Sequence, residues 1–153
     1  MKWTEYFFEF VKISALKSKD PSIKVGAVIC TEDNEIISTG FNGMPRFINE
    51  NIESRWKRPI KYFWIEHAER NAIYNAAKKG ISLNGAKIFV KWLPCAECSR
   101  GIIQSGIKEI YIDKRSYGTF EKSGDIERDK MWKENFEIAK EMLKEAEIEV
   151  YII

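Results

Sequence analysis

The sequence predicts an α/β protein, a three-layer α/β/α sandwich around a five-stranded mixed sheet. Its 153 residues, 44% hydrophobic and 31% charged, suit one domain spanning residues 1–153. Two β-branched segments near the start of the chain lie close together, which is typical of an antiparallel hairpin. Farther along, helical and strand patterns alternate, which favours β-α-β crossovers and parallel neighbours in the same sheet.

Each element is predicted from its own pattern. Residues 4–17 place apolar side chains at helical spacing after Thr4, a candidate N-cap. Residues 25–30 and 35–41 form the hairpin, and residues 42–62, which contain two prolines and three asparagines, are predicted to be a long loop. The remaining predicted elements are helices at 67–79, 96–105 and 126–145, strands at 86–92, 108–113 and 149–153, and an irregular segment at 114–125.

The charge balance and the apolar pattern narrow the class of protein. Twenty-five Lys and Arg against 23 Asp and Glu give a net charge of +2, which is too small for a general nucleic-acid binder. No apolar run approaches the length of about 18 residues that a membrane span needs. The first ten residues carry glutamates where a signal peptide would have a basic region. We therefore expect a cytoplasmic protein with neither a membrane nor a nucleic acid as its partner.

The few cysteines and the single histidine restrict the chemistry of the chain. Cys95 and Cys98 follow Pro94 at a predicted helix start, and their spacing places both sulfurs on one face. A C-x-x-C pair alone is also typical of a structural zinc site or a redox pair. His67, at the start of another helix, adds a third ligand. Three ligands predict one Zn²⁺ per chain with the fourth position left for water, which is typical of a catalytic site.

Glu69 is the candidate catalytic acid and base. Residues two apart in mid-helix do not face each other, so Glu69 reaches the water only if His67 lies at the extreme N-terminus of its helix. Both helix N-termini direct partial positive charge at the site and favour the thiolate form of the cysteines. The pattern predicts that Glu69 takes a proton from the water and returns it to the substrate.

Five motifs carry a resemblance to a known family. They are S-K-D-P at residues 18–21, V-G-A-V at 25–28, G-F-N-G-M-P at 40–45, H-A-E at 67–69 and P-C-A-E-C at 94–98. In this order they resemble the deoxycytidylate (dCMP) deaminase family, within the zinc-dependent cytidine and deoxycytidylate deaminases. The resemblance implies a cytidine-deaminase-like fold and the hydrolysis of dCMP to dUMP and ammonia, in pyrimidine nucleotide metabolism.

The resemblance also implies roles for individual residues. His67, Cys95 and Cys98 match the zinc ligands, and Glu69 matches the proton shuttle. The positions that match contacts to the sugar and the base are Asn42, Val25, Gly26, Ala27, the backbone of Ala68, and Tyr117. Two of these have simpler interpretations, because Asn42 is also a turn-forming residue and Tyr117 is equally suited to packing against its own loop.

Phosphate binding, regulation and assembly are further expectations. Lys24 and Arg46 flank the expected pocket and are candidate cations for a 5′-phosphate, although a solvated face accounts for them equally well. The resemblance implies control by deoxynucleoside triphosphates, with Mg²⁺ accompanying the effector. Large apolar residues in the first helix and the C-terminal tail predict subunit contacts, and hence a homo-oligomer, a dimer or a hexamer.

Three features of the sequence depart from the pattern of the family. Phe41 replaces the tyrosine of the family motif, and Arg70 follows Glu69 where an apolar residue is expected, which would fit a different substrate. With no spare histidine, a second, structural zinc site is not expected. The alternatives are deamination of another nucleoside, nucleotide or base, a tRNA adenosine deaminase, and a zinc-binding scaffold without activity. The presence of Glu69 speaks against the scaffold.

Overall fold

A five-stranded mixed sheet forms the middle of the fold. The computed structural model describes residues 1–119 and 125–153. The strands are β1 (Gly26–Cys30), β2 (Ile36–Phe41), β3 (Lys87–Val90), β4 (Glu109–Ile112) and β5 (Glu149–Ile152), in the spatial order β2-β1-β3-β4-β5. β1 is antiparallel to β2 and β3, whereas β3, β4 and β5 are parallel. The predicted hairpin and the mixed sheet are confirmed.

Five helices connect or flank these strands. They are α1 (Trp3–Ala15), α2 (Lys61–Trp64), α3 (Ala68–Lys78), α4 (Ala96–Gln104) and α5 (Ile126–Glu145). The prediction of Thr4 as the N-cap of the first helix is wrong. Lys2 holds that position, because the Glu5 carboxylate accepts a hydrogen bond from the Lys2 backbone N–H at 2.8 Å. No helix in the described residues is long and apolar enough to cross a membrane.

Two segments were predicted to be irregular, and the structure differs from the prediction in the first and describes only part of the second. The prediction of a loop over 42–62 is wrong in part, because a 3₁₀ helix at Glu53–Trp56 and the start of α2 lie within it. The indole of Trp56 is buried and donates a hydrogen bond to the Glu50 carbonyl at 2.8 Å, which fixes the turn. Residues 114–119 form turns, and the rest of the predicted irregular segment, 120–124, lies outside the described residues.

Helices cover the two faces of the sheet unequally. Along β1, Val28 and Cys30 belong to one cluster and Ala27 and Ile29 to the other, and all four are fully buried. The first cluster packs against α1 through Phe7, Phe8 and Val11. The second packs against α3, α4 and α5 through Ala68, Ala72, Ala76, Ile102 and Leu143. These layers confirm the predicted α/β/α sandwich, with a single helix on one side.

Gly40 fixes how closely α3 approaches the sheet. A Cβ atom at this position of β2 would lie 2.1 Å from the Ala68 carbonyl oxygen and 2.4 Å from the Ala72 nitrogen. Such distances leave no room for a side chain, so the backbone of α3 rests directly on β2. The N-terminus of α3 is thereby held at a defined place beside the sheet.

Candidate active site

Two helix N-termini bring the three candidate metal ligands together. His67 is the N-cap residue of α3 and Cys95 is the N-cap residue of α4, both with extended backbone, while Cys98 lies in the first turn of α4. The Nδ1 atom of His67 lies 3.5 Å from the sulfur of Cys95 and 3.5 Å from that of Cys98. In the described parts of the chain, this is the one group of three or more His, Cys, Asp or Glu side chains with such spacing.

The spacing of these atoms fits a tetrahedral zinc ion. Zn–N and Zn–S bonds of about 2.0 and 2.3 Å at a tetrahedral angle place nitrogen and sulfur about 3.5 Å apart. Both observed separations are 3.5 Å. Hydrogen bonding by Cys98 lowers the pKa of Cys95 to about 3 against the effect of burial, and His67 acts in the same direction. A thiolate at Cys95 is the form that binds a metal ion.

Glu69 lies in the first turn of α3, beside this group. Its side chain is buried, and burial raises the pKa of its carboxyl above the ordinary value, while His67 offsets the rise only in part. His67 is outside the regular helix, at its N-cap. The carboxylate and the metal-ligand group therefore line the same cavity, which is the arrangement that proton transfer to and from a bound water requires.

The cavity has a volume of about 290 Å³ and is lined by both polar and apolar side chains. His67, Glu69 and Cys95 contribute one wall, and Trp92 and Leu93 add apolar surface after β3. Trp132 and Phe136, one turn apart on α5, contribute another. Arg58 also lines the cavity, although the basic-aromatic sequence at residues 55–58 is more typical of a solvated loop than of a phosphate contact. The other lining residues, which the sequence did not connect with the site, are Asp20, Ser22, Ile23, Lys61, Tyr62, Ile65, Trp92, Leu93, Arg128, Trp132 and Phe136.

Asn42 lies in this cavity within a buried polar network. Its side-chain amide group donates to Asp20 Oδ2 at 3.0 Å and to the Ile23 carbonyl at 2.9 Å, and its Oδ1 accepts from the Val25 N–H at 2.8 Å. The ammonium of Lys61 lies 2.7 and 2.6 Å from the two carboxylate oxygens of Asp20. Both members of this ion pair are 2% exposed. Asn42 is thus rigidly held, with one acceptor site on Oδ1 still available.

Two arginines line the cavity together with Tyr62. The Nε of Arg128 donates a hydrogen bond to the Tyr62 hydroxyl oxygen at 3.0 Å. Burial raises the pKa of Tyr62 and is the largest single effect, but Arg128, Trp132 and Arg58 together lower it below its ordinary value. Arg58 and Arg128 therefore place positive charge in the same cavity that His67 and Cys95 line.

The structure brings only some of the predicted substrate contacts to the cavity. Val25, Asn42 and Ala68 line it. Ala27 is instead fully buried in the core, and Gly26 faces α1, where a Cβ would lie 2.1 Å from the Val11 carbonyl oxygen. Tyr117, 42% exposed, lines a separate depression beside the end of α5.

The two predicted phosphate cations also lie elsewhere. Lys24 lines a depression next to α1, on the other side of the sheet from α3. The Arg46 guanidinium donates to the Asn75 side chain at the exposed side of α3. Arg58 and Arg128 are the arginines that line the cavity. The spacing of Arg128, Trp132 and Phe136 at every fourth residue of the last helix is a sequence signal that could have indicated this wall.

Sequence comparison gives a family match and close relatives. Residues 1–114 match the family model described as the cytidine and deoxycytidylate deaminase zinc-binding region. A deoxycytidylate deaminase of Mus musculus is 39% identical over 123 residues, which are 76% of this chain and 67% of that protein. An uncharacterised deaminase in the luxG 3′ region of Aliivibrio fischeri is 36% identical over 149 residues, 97% of this chain and 92% of that one.

Solved structures give the same fold. The apo dCMP deaminase of cyanophage S-TIM5 has a TM-score of 0.73 and 24% identity, and the match covers 100% of both chains. The diaminohydroxyphosphoribosylaminopyrimidine deaminase/reductase of Thermotoga maritima has a TM-score of 0.64 and 28% identity, with coverage of 98% of this chain and 36% of that one.

The sheet and a site with one imidazole, two cysteine sulfurs and one buried carboxylate define the class of the hydrolytic nucleobase deaminases. The chain belongs to the cytidine and deoxycytidylate deaminase family. The resemblance stated from the motifs and the predicted enzyme class are therefore confirmed. The family and the His/Cys/Cys group support Zn²⁺ as the metal. The expected Mg²⁺ has no comparable support, and the expected roles of the substrate-binding residues remain predictions.

Proposed function

We propose that the protein hydrolyses the 4-amino group of dCMP and yields dUMP and ammonia. One observation carries this proposal. A single cavity is lined by Glu69, His67 and Cys95 and also by the two arginines Arg58 and Arg128. Relatives at 38–39% identity that are named deoxycytidylate deaminases support the same substrate.

The metal centre and Glu69 have separate tasks. His67, Cys95 and Cys98 would hold the zinc ion, which when bound supplies a Lewis acid that lowers the pKa of water. Glu69 takes one proton from the attacking water as its oxygen adds to C4 of cytosine, and delivers that proton to N3. A second proton from the water leaves with the amino group as ammonia, and the C4 carbonyl forms. The raised pKa of Glu69 suits both the acceptance and the return of a proton.

The sugar is the second part of the substrate to be recognised. Both N–H groups of the Asn42 amide are already used by Asp20 and Ile23, so this side chain has no donor left for a ligand. Its Oδ1 accepts one hydrogen bond, from Val25, and keeps a second acceptor site. A sugar hydroxyl therefore donates to Asn42, and the buried Lys61–Asp20 pair holds the amide in the required orientation.

The phosphate is recognised by Arg58 and Arg128. Arginine binds phosphate through two parallel hydrogen bonds, and both guanidinium groups line the cavity together with the Tyr62 hydroxyl, to which Arg128 donates. A hydrogen bond to a charged group contributes about 1.5–3 kcal/mol, which corresponds to a ratio of roughly 10 to 150 in kcat/KM. We expect the wild-type enzyme to prefer dCMP to deoxycytidine by this ratio.

Arginine variants test the proposal. Arg58→Gln and Arg128→Gln should lower kcat/KM for dCMP by about tenfold or more each and leave deoxycytidine almost unaffected. Lys24→Gln and Arg46→Gln are the matched controls, because they remove positive charges that lie outside the cavity. Equal efficiency on dCMP and deoxycytidine, or a loss in the control variants alone, would overturn the proposed phosphate site.

A second candidate substrate class is a phosphoribosylated aminopyrimidine. The 28% identity to the Thermotoga maritima deaminase/reductase favours it, and the same two arginines would bind its phosphate. A spectrophotometric comparison of dCMP, CMP, deoxycytidine and the phosphoribosylaminopyrimidine distinguishes the two proposals. Turnover of the last compound alone would replace dCMP as the substrate.

A further inference from the structure

The depression beside α1 that Lys24 lines is a second candidate binding surface. It lies on the side of the sheet opposite the active-site cavity and has a volume of about 330 Å³. The buried side chains of Phe8 and Val11 form an apolar floor, and Lys12, Lys24 and Lys91 add three ammonium groups. We call this surface the α1 depression.

The charges of the α1 depression do not cancel. Lys12 forms an ion pair within its own helix, and Asp113, the acidic residue of the lining, pairs with Arg115 at 3.2 Å. In the described part of the chain, no carboxylate lies within ion-pair distance of Lys24 or Lys91. Two positive charges therefore lie beside an apolar floor. The ligand that complements them is a small dianion with an apolar group, and lysine binds phosphate in this way, as a point charge.

The α1 depression and the active-site cavity share two segments of the chain. Around the start of β1, Lys24 and Gly26 line the depression, whereas Val25, between them, lines the cavity. Directly after β3, Lys91 lines the depression and the next residue, Trp92, lines the cavity. In both segments a single stretch of backbone separates the two surfaces, so a ligand on one side acts on residues that adjoin the other.

Lys91 and Trp92 connect the two surfaces through a side-chain contact. The Lys91 ammonium lies 4.4 Å from the centre of the Trp92 ring, which is a cation–π distance. The indole N–H of Trp92 also donates to Thr119 Oγ1 at 3.3 Å. A phosphate group in the α1 depression attracts the same ammonium and draws it away from the ring. Anion binding therefore weakens one of the contacts that hold the Trp92 indole in the cavity wall.

We propose that the α1 depression is a regulatory site for a small phosphate ester, whose binding weakens substrate binding in the cavity through Lys91 and Trp92. The phosphate pairs with Lys24 and Lys91, and the apolar group rests on Phe8 and Val11. The regulatory step rests on the proposed function of the cavity, whereas the binding step does not. The effect is reciprocal, so the ester binds less tightly when substrate is present.

Calorimetric titration with phenyl phosphate and with inorganic phosphate tests the binding step. Since the cavity contains two arginines of its own, the titration uses the zinc-loaded Arg58→Gln/Arg128→Gln protein. Phenyl phosphate should bind this protein with a lower Kd than inorganic phosphate, because only the ester places an apolar group on the floor of the α1 depression. Phenyl phosphate binding that disappears in this protein would assign the anion to the cavity and overturn the proposed site.

Lysine variants of the same protein locate the bound anion. Adding Lys24→Gln and Lys91→Gln should raise the Kd for phenyl phosphate by about tenfold or more. Adding Lys78→Gln and Lys79→Gln, at exposed lysines of α3, removes the same charge and should leave the Kd unchanged. Lys24→Gln alone, at an exposed residue, covers the case in which the double lysine variant fails to fold, and it should also raise the Kd. A Kd that these changes at Lys24 and Lys91 leave unaltered would overturn the proposal.

Steady-state kinetics test the regulatory step. Deoxycytidine, which has no phosphate, is the substrate, and the Arg58→Gln/Arg128→Gln protein is the enzyme. Saturating phenyl phosphate should raise KM by about two- to fivefold, the size of a cation–π contact near the surface, and leave kcat unchanged. Adding Lys91→Gln should abolish this response.

The two kinds of failure are distinguishable. An unchanged KM at saturating phenyl phosphate would overturn the regulatory role of the α1 depression. Absence of deamination with every nucleoside and nucleotide would instead overturn the proposed function of the cavity, while the titrations still decide whether the depression binds the ester.

Discussion

Glu69 is a buried carboxylate that also lies at the N-terminus of a helix. It is 8% exposed, and it lies in the first helical turn after His67, where backbone N–H groups point toward the site. Burial favours its protonated form, and the imidazole favours its ionised form. The balance between these two effects lets one side chain accept and release a proton during a single turnover.

Replacing this carboxylate tests its role. Glu69→Gln keeps the size of the side chain but removes its capacity to carry a proton, so kcat should fall by about 10²–10⁴-fold. Zinc content by elemental analysis and the Tm should match those of wild type, since Glu69 is not one of the metal-ligand candidates. Glu53→Gln, at an exposed glutamate of the 3₁₀ helix, is the control and should retain full activity. A Glu69→Gln variant with more than about a tenth of the wild-type kcat would contradict the assignment.

Individual residues differed in how far their positions could be predicted. The metal-ligand group was predictable because His67, Cys95 and Cys98 are rare residue types at helix starts, and because the spacing of the two cysteines places both sulfurs on one face. Lys61 was not, since a lysine in a polar segment is usually solvated, and only the folded chain places it against Asp20. Removing one partner of such a buried ion pair typically lowers the free energy of unfolding by about 3–5 kcal/mol. The pair of Lys61 and Asp20 therefore strongly constrains the position of the segment that contains Lys61.

At the scale of elements, the contact between β2 and α3 sets the position of the site. Gly40→Ala would place a methyl group against the α3 backbone at the Ala68 carbonyl and the Ala72 nitrogen, and neither can move independently of the helix. We expect a loss of about 3 kcal/mol in the free energy of unfolding, the upper end of the range for overpacking. Zinc affinity should fall as well, because His67 begins the displaced helix.

Urea denaturation and competition with a zinc chelator measure both effects. Gly43→Ala is the matched control within the same motif, because its Cβ would meet only the Phe41 ring, at 3.9 Å, an ordinary contact. A Gly40→Ala variant as stable as the control would show that α3 does not depend on this close approach.

The elements themselves were predicted well where a full helical or strand period is present. The last helix has the predicted bounds, and α3 and α4 end within a residue of their predicted ends. The 3₁₀ helix and α2 are four residues each, too short to show a period. They form because Trp56 and Lys61 are buried by tertiary contacts, which no local pattern reveals.

At the scale of the whole molecule, exposed apolar side chains predict assembly. Three of the large apolar residues expected at subunit contacts are used within the chain. Phe7 is fully buried in the core, and Trp132 and Phe136 line the cavity. Exposed apolar side chains remain at the first helix and in the C-terminal region, for example Leu16 at 74% and Ile126 at 83%, and the segment between β2 and α3 adds Phe47 at 102% and Phe63 at 85%. Side chains of this size are commonly covered by another subunit.

Light scattering tests this prediction. At micromolar concentration the mass should be at least twice the 17.9 kDa of the single chain. Phe63→Ser should reduce that mass if the segment takes part in the contact, whereas Phe7, in the core, is unsuitable for such a test. A mass of one chain for the wild-type protein across the micromolar range would contradict the assembly.

The cavity draws its walls from two separate stretches of the chain. All candidate metal ligands and Glu69 lie within residues 1–114, the part that matches the family model, whereas Arg128, Trp132 and Phe136 belong to α5. The reactive centre and one of the recognition surfaces are therefore encoded independently. Under the proposed function, substitutions at Arg128 change which nucleotide the cavity accepts while His67, Cys95, Cys98 and Glu69 keep their identities. In evolutionary terms, the cavity wall on α5 can diverge toward another substrate without replacement of a reactive residue.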